Sequence, residues 1–227
     1  SNDARGTVTT IDPASGDPAE LVDALVRSWG TELGVRSQPA QGLNTTAALW
    51  TLELESELLF VGDAGTTEAS GASRRMGITV ANFYRIADEW SADLDVSFTN
   101  ARLLDVPPGE DWIPGGIENV VAAGFGYEPV MNGPFAAVRL RHFGAYPLIE
   151  DNSVRSEANS LVNVSAGYKL GNARLTVQVL NVLDEEHSDI QYFYSSRLAG
   201  EPVGGVDDIH FHPSEPREFR VSLSWGM

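Results

Sequence analysis

The sequence predicts an all-β fold, an antiparallel up-and-down transmembrane β-barrel arrangement of about nine strands in this chain. Three observations carry that expectation. The strands alternate apolar and polar residues, the connections between them alternate short and long, and aromatic residues gather beside the short connections. The alternation is cleanest near the end of the chain. There Phe219, Val221, Leu223 and Trp225 interleave with Arg220, Ser222, Ser224 and Gly226. Upstream, Val162, Val164, Ala166, Tyr168 and Leu170 interleave with Asn163, Ser165, Gly167 and Lys169, and Leu175, Val177 and Val179 with Thr176 and Gln178. Successive side chains of a strand point to opposite faces, so each strand meets an apolar medium on one side and a polar one on the other.

Composition narrows what those media can be. A chain of 227 residues with 42% hydrophobic residues can bury a core, so disorder is not expected. Its net charge of −17 argues against nucleic acid, because phosphate binding needs a basic surface. Cysteine is absent, which removes disulfides and thiolate metal sites. No apolar run approaches the roughly 20 residues of a spanning helix, but a transmembrane strand needs only about 9 to 11 residues and alternates. The chain starts at Ser1 without a leader, as expected of a mature product or a fragment.

Taken in order, residues 1–31 read mostly as an extracellular loop. Ser1–Pro18 is rich in Asp, Gly, Thr and Pro, with a short extended piece at Thr7–Ile11. Leu21, Val22, Leu25 and Val26 have helical spacing, in a run too short to separate a helical turn from an irregular strand. Extended segments follow at Glu32–Ser37, Leu43–Phe60, Arg75–Tyr84, Trp90–Leu103, Asn119–Tyr127, Phe135–Phe143, Leu161–Leu170, Ala173–Leu183 and Glu218–Trp225. Short turns fall at Gln38–Gly42, Ile86–Glu89, Glu128–Pro134 and Gly171–Asn172, and long loops at Gly62–Arg74, Leu104–Glu118, Gly144–Ser160 and Asp184–Arg217. Every second connection is long. An up-and-down sheet therefore carries all its short turns at one end and all its long loops at the other, the asymmetry of an outer-membrane barrel. No domain boundary divides residues 1–227.

Tyr84, Trp90, Tyr127, Phe135, Tyr168 and Trp225 fall beside the short turns, where they are expected to ring one membrane interface. Phe60, Phe143 and Tyr146 are expected near the opposite rim. On the polar faces Arg139 shares a side with Arg141, Asp93 and Asp95 share one with Ser97 and Thr99, and Glu53, Glu55 and Glu57 are read the same way. In a wet lumen such charges stay hydrated and pair across strands. The alternative is a soluble carbohydrate-binding β-sandwich, whose apolar face would be covered by a second layer of the same chain.

Several stretches resemble the C-terminal part of the β-barrel of TonB-dependent outer-membrane receptors. They are Ser1-Asn2-Asp3-Ala4-Arg5-Gly6, the run from Ser56 through Gly62-Asp63-Ala64-Gly65 to Arg74-Arg75-Met76-Gly77, Ile113-Pro114-Gly115, and Pro147-Leu148-Ile149-Glu150-Asp151-Asn152 to Ser156. Near the end come Val162-Asn163 with Gly167-Tyr168, Val179-Leu180-Asn181-Val182-Leu183-Asp184, and Glu215-Pro216-Arg217. The resemblance implies an energised importer of a scarce substrate, such as a ferric siderophore, cobalamin or an oligosaccharide, in the bacterial outer membrane. Its ligand would be held between extracellular loops and an N-terminal plug. The large members have about 22 strands around a plugged lumen. Plug and TonB-contacting segment are absent from this sequence, so the chain is expected to be transport-incompetent alone. Its expected partners are outer-membrane lipid, the plug and remaining strands, TonB through the plug, and the small-molecule substrate. Trp225-Gly226-Met227 departs from the aromatic ending common in such barrels.

Chemistry of other kinds is weakly represented. His210 and His212 are two apart on an extended segment, so both imidazoles point one way and could share a metal with Asp207, Asp208 or Glu215. Pro213 and Pro216 and the remoteness of His142 and His187 favour a ligand contact at the barrel mouth or an ordinary loop pairing instead. Arg139, Arg141, His210 and His212 are therefore the expected substrate-contact residues. No catalytic residue, metal or cofactor is expected: nucleophile elbow, phosphate loop and calcium-loop spacing are all missing.

Overall fold

The computed structural model describes residues 26–61 and 66–226. Thirteen strands and no helix occur among them: β1 Ser28–Ala40, β2 Leu43–Leu54, β3 Glu57–Val61, β4 Thr66–Ser70, β5 Ser73–Arg85, β6 Trp90–Leu103, β7 Asn119–Tyr127, β8 Gly133–Phe143, β9 Asn159–Leu170, β10 Ala173–Leu180, β11 Ser188–Ser196, β12 Val206–Pro213 and β13 Glu218–Trp225. Nine form one antiparallel sheet in the order β1-β2-β5-β6-β7-β8-β9-β10-β13. Each pairs with its sheet neighbours in the chain, and β3–β4 and β11–β12 stand apart as two hairpins inside long loops. The sheet is open, with β1 and β13 at its ends. This is the predicted up-and-down arrangement, a partial barrel.

The registers put the apolar residues in rows across strands. Leu33, Leu49, Ile78 and Phe98 stand opposite one another across β1, β2, β5 and β6. Phe125, Val138, Val164, Val179 and Phe219 do so across β7, β8, β9, β10 and β13. No second layer covers this face among the described residues. Along β9 the apolar set Val164, Ala166, Tyr168 and Leu170 is exposed, whereas Asn163, Ser165, Gly167 and Lys169 are half-buried. The greasy side is thus the open one and the polar side the enclosed one, the inverse of a water-soluble sheet. Buried hydrophobics among the described residues are only Ala101, Leu103, Ile113, Phe135 and Leu148. Removing each large apolar side chain from water is worth about 1.5 to 3 kcal/mol, and an uncovered apolar band of this length is the pattern of the outer face of a transmembrane β-barrel. The sandwich alternative needs a second sheet on that face, and among the described residues there is none.

Some expectations change. The segment read as Leu43–Phe60 is two strands, broken at Glu55 and Ser56, where β3 leaves the main sheet. Glu53 does not line the polar wall: it shares a face with Leu49, and its carboxylate accepts from Arg74 Nε at 2.7 Å. Glu57 lies instead on β3, buried against Arg75 and Ser73. Beyond the hydrocarbon the alternation loses its meaning, because the enclosed side there carries Ala101 and Leu103 beneath the loops. Phe135 is not in the interfacial ring either. It pairs with Gly167 on the polar side and is 4% exposed. The strand read as Ala173–Leu183 ends at Leu180, where Asn181 takes a positive φ of 48°. β1 begins at Ser28, so the last four residues of the expected loop 1–31 are strand; the remainder of that loop up to residue 25, with its resemblance motif and its helical spacing, lies outside the described residues, as do residues 62–65. The interfacial cluster itself forms: the Trp90 ring lies 5.3 Å from Phe125 and 4.8 Å from Tyr127, with Tyr84, Tyr168 and Trp225 exposed at the same short-turn end.

Candidate functional site

The polar wall is built from registers that bring charges together across a strand. Asp93 on β6, Gly124 on β7 and Arg139 on β8 are consecutive partners, and Arg139 Nη1 donates to both Asp93 carboxylate oxygens at 2.7 Å. The pair passes over β7 because Gly124 has no side chain: a Cβ there would sit 2.6 Å from Asp93 Oδ1 and against the guanidinium. Gly124→Ala is therefore expected to open the pair. An exposed pair is worth about 0.2 to 1 kcal/mol, so the sensitive measurement is a double-mutant cycle on Asp93 and Arg139, whose coupling should vanish in the Gly124→Ala background.

One register step away, Asp95, Ala122 and Arg141 repeat the arrangement with alanine in the middle. Here no ion pair forms. The guanidinium of Arg141 lies 5.1 Å from the Phe143 ring and has no acidic partner among the described residues.

At the short-turn end Glu128 receives Arg174 Nη1 at 2.7 Å and also pairs with Lys169. Arg174 stacks 3.6 Å over the Phe135 ring. The hydrogen bond from Arg174, helped by Lys169, holds the Glu128 carboxyl below the usual carboxylate range against a smaller opposing effect of desolvation. A depressed carboxyl stabilises the fold above its unfolded value, and that contribution disappears as pH falls through the folded one. Glu128 is 49% exposed, so solvent screening keeps the effect below about 1 kcal/mol. Glu128→Gln should accordingly flatten the acid limb of stability against pH, read from urea midpoints at neutral and acidic pH.

The long-loop end is tied together by hydrogen bonds and packed side chains. Loops 104–118 and 144–158 bond to each other through Trp112 N to Glu150 O at 3.0 Å and Gly115 N to Pro147 O at 2.9 Å. Trp112 is bracketed by two guanidiniums, Arg102 at 3.3 Å and Arg155 at 5.8 Å from its ring, and Arg155 also holds Glu118. Pro147, Leu148 and Ile113 are buried in this seam. The longest loop, 181–217, is tied at its foot by Asn181, which is 3% exposed. Asn181 Nδ2 donates to the carbonyls of Glu185 at 3.0 Å and Glu215 at 3.4 Å, and its backbone N–H donates to Asn163 Oδ1 at 2.9 Å. Asp184 accepts from Arg217 N at 3.1 Å and pairs with its guanidinium at 2.9 Å. The Asn181-Val182-Leu183-Asp184 motif is thus a clamp holding both ends of the longest loop.

That loop carries the β11–β12 hairpin and, with it, the histidines. His210 and His212 share a face, as their spacing predicts, but have different surroundings. The His210 ring stacks on Tyr194 at 3.8 Å, and its Nε2 is buried with no partner among the described residues. His212 is 75% exposed, 4.0 Å from Asp189. No group of three His, Asp or Glu among the described residues is arranged to hold a metal ion. The opposite face of the hairpin, through Ile209, Phe211 and Pro213, lines a cavity of about 740 Å³ with Glu157, Asp184, Glu185, Glu186, His187 and Asp208. A smaller cavity of about 190 Å³ lies between the hairpin foot and the wall, and Arg141 opens into it. Of the four predicted contact residues, Arg141 therefore reaches a cavity, Arg139 is committed to Asp93, and the two histidines stand on the hairpin away from the large cavity. None of the clamp, the Trp112 seam and the Glu128 cluster is predicted as a site; the resemblance singles out stretches of the first two, Val179–Asp184 and Glu215–Arg217 in the clamp and Ile113–Gly115 and Pro147–Ser156 in the seam.

A single sheet with an uncovered apolar band, an enclosed charged wall, short turns at one end and long folded loops at the other is a stretch of the wall of a large transmembrane β-barrel. The chain belongs to the family described as TonB dependent receptor-like, beta-barrel, which matches residues 15–182. Its fold is similar to the ferric yersiniabactin uptake receptor FyuA of Yersinia pestis, at 16% identity and a TM-score of 0.69, over 87% of this chain and 29% of that one. It is similar also to the siderophore receptor PiuA of Acinetobacter baumannii, at 14% identity and 0.66, over 98% and 30%. The closed form of the ferric-catecholate import receptor Fiu of E. coli K12 matches at 20% identity and 0.62, over 87% and 27%. The chain spans about three-tenths of the length of these receptors.

Proposed function

We propose that residues 1–227 are one part of the barrel domain of a bacterial outer-membrane receptor that imports a scarce small molecule, driven through TonB. The continuous uncovered apolar band, backed by a charged wall, carries this reading, because only a lipid-embedded barrel needs both. The uptake and import receptors named above favour a ferric siderophore or similar chelate as the substrate class. In this reading the ligand meets the wall and loops at Arg139, Arg141, His210 and His212, and residues 1–31 begin mostly as extracellular loop. A plug, the remaining strands and TonB complete the transporter, and this chain alone does not transport. The edges of β1 and β13 support that view, since unpaired backbone in lipid costs several kcal/mol per group. The protein acts by binding and passage, without catalysis or cofactor.

The test is sedimentation of the purified chain with and without detergent, alongside far-UV circular dichroism. Strand signal and a defined particle are expected only with detergent or lipid. A folded, soluble monomer in plain buffer sinks the proposal.

A further inference from the structure

We infer that the smaller cavity, between the polar wall and the foot of the β11–β12 hairpin, is a subsite for a hydroxylated carboxylate, with Arg141 as its anchor. The inference rests on the receptor reading and deepens it by naming the chemistry of the ligand. Arg141, Asn163, His187, Glu215, Glu218 and Arg220 are among the residues around its roughly 190 Å³. At about 30 Å³ per water, that is room for about six waters, or one polar end of a larger molecule.

Its charges are not equally free. Glu218 is bound twice by Arg220, at 2.6 and 2.7 Å, and Asp189 accepts from Ser214 Oγ at 2.5 Å. Arg141 has no such partner among the described residues, and the reason is one methyl group. In the neighbouring register Arg139 reaches Asp93 across Gly124, whereas Ala122 fills the same position between Arg141 and Asp95. The wall thus holds one guanidinium in an ion pair and keeps the next one open. A guanidinium facing a cavity binds carboxylate through paired charge-assisted hydrogen bonds.

The second feature is His187. Its Nδ1 lies 3.1 Å from the Glu185 carbonyl oxygen, which only accepts, so Nδ1 bears the proton. In the neutral ring Nε2 is then an acceptor, and it is buried without a donor among the described residues. The Glu215 carboxylate feels the charge of Arg220 but accepts no hydrogen bond among the described residues. One open cation and two open acceptors match a ligand that brings a carboxylate together with hydroxyl groups.

Citrate and tricarballylate, which differ by one hydroxyl, are the probes, measured by equilibrium dialysis against the full chain folded in detergent micelles. Citrate should bind, and tricarballylate more weakly. Arg141→Gln should weaken citrate binding by about tenfold or more, the worth of one charged hydrogen-bonded contact. Ala122→Gly should weaken it comparably while keeping every charge, because Asp95 can then close on Arg141. Arg36→Gln, which removes the same charge three strands away from Asp95 on the same face, should leave it unchanged. The assignment is overturned if a folded wild-type chain binds no citrate, if the two probes bind equally, if Arg36→Gln loses as much as Arg141→Gln, or if Ala122→Gly binds like wild type. A chain that gains no strand structure in detergent overturns the receptor reading as well, whereas a folded chain without binding overturns the subsite alone.

Discussion

Replacing Val177 by Arg is expected to remove about 2 to 4 kcal/mol of folded stability in lipid bilayers. Val177 lies at the middle of β10, on the open face, between Ala166 of β9 and Val221 of β13. It is 41% exposed in the chain itself, so no protein contact explains a large penalty there. In water an exposed Val to Arg change costs little. In hydrocarbon it buries a charge, and the penalty should shrink for the same change at Leu170, which lies at the short-turn end of β9. Urea unfolding in vesicles, followed by tryptophan fluorescence, measures both. Equal and small effects at the two positions would count against a lipid-facing β10.

The second large effect belongs to the other face. Phe135→Ala should cost about 3 to 5 kcal/mol, the range for truncating a buried aromatic. Its ring covers Gly167, where a Cβ would lie 2.8 Å from Phe135 Cε1, and Arg174 stacks on the ring at 3.6 Å. Removing the ring opens a cavity beside Gly167 and takes away the surface that positions Arg174 toward Glu128. Phe135→Leu should restore part of the loss. A variant as stable as wild type would mean that the ring only decorates the wall.

Why the strands were legible and the site was not follows from the same physics. Where lipid lies on one side and the enclosed wall on the other, alternation is enforced residue by residue, and Trp90–Leu103, Asn119–Tyr127 and Glu218–Trp225 have the bounds the pattern predicts. Outside the hydrocarbon that constraint lapses. β3–β4 and β11–β12 lie in regions read as a strand's continuation or as loop, since a hairpin in an extramembrane loop has no lipid face to impose a period. Parity also places Asp93, Arg139 and Arg141 on a common polar wall, but only the register reveals that Gly124 lies between Asp93 and Arg139, which pair, and Ala122 between Asp95 and Arg141, which do not. Phe135 was misplaced because an aromatic beside a short turn fits an interfacial ring equally well. Its covering of a cross-strand glycine is invisible without the pairing of β8 with β9.

The most direct test uses the absence of cysteine from the sequence, which makes single-cysteine labels unambiguous. Nitroxides placed in turn at residues 174 to 179 of the chain in lipid vesicles can be probed with oxygen, which partitions into hydrocarbon, and with a polar nickel chelate. Positions 175, 177 and 179 should favour oxygen, and 174, 176 and 178 the chelate, with a period of two. A uniform profile, or oxygen preference at the even positions, would contradict the assignment of lipid to the apolar face.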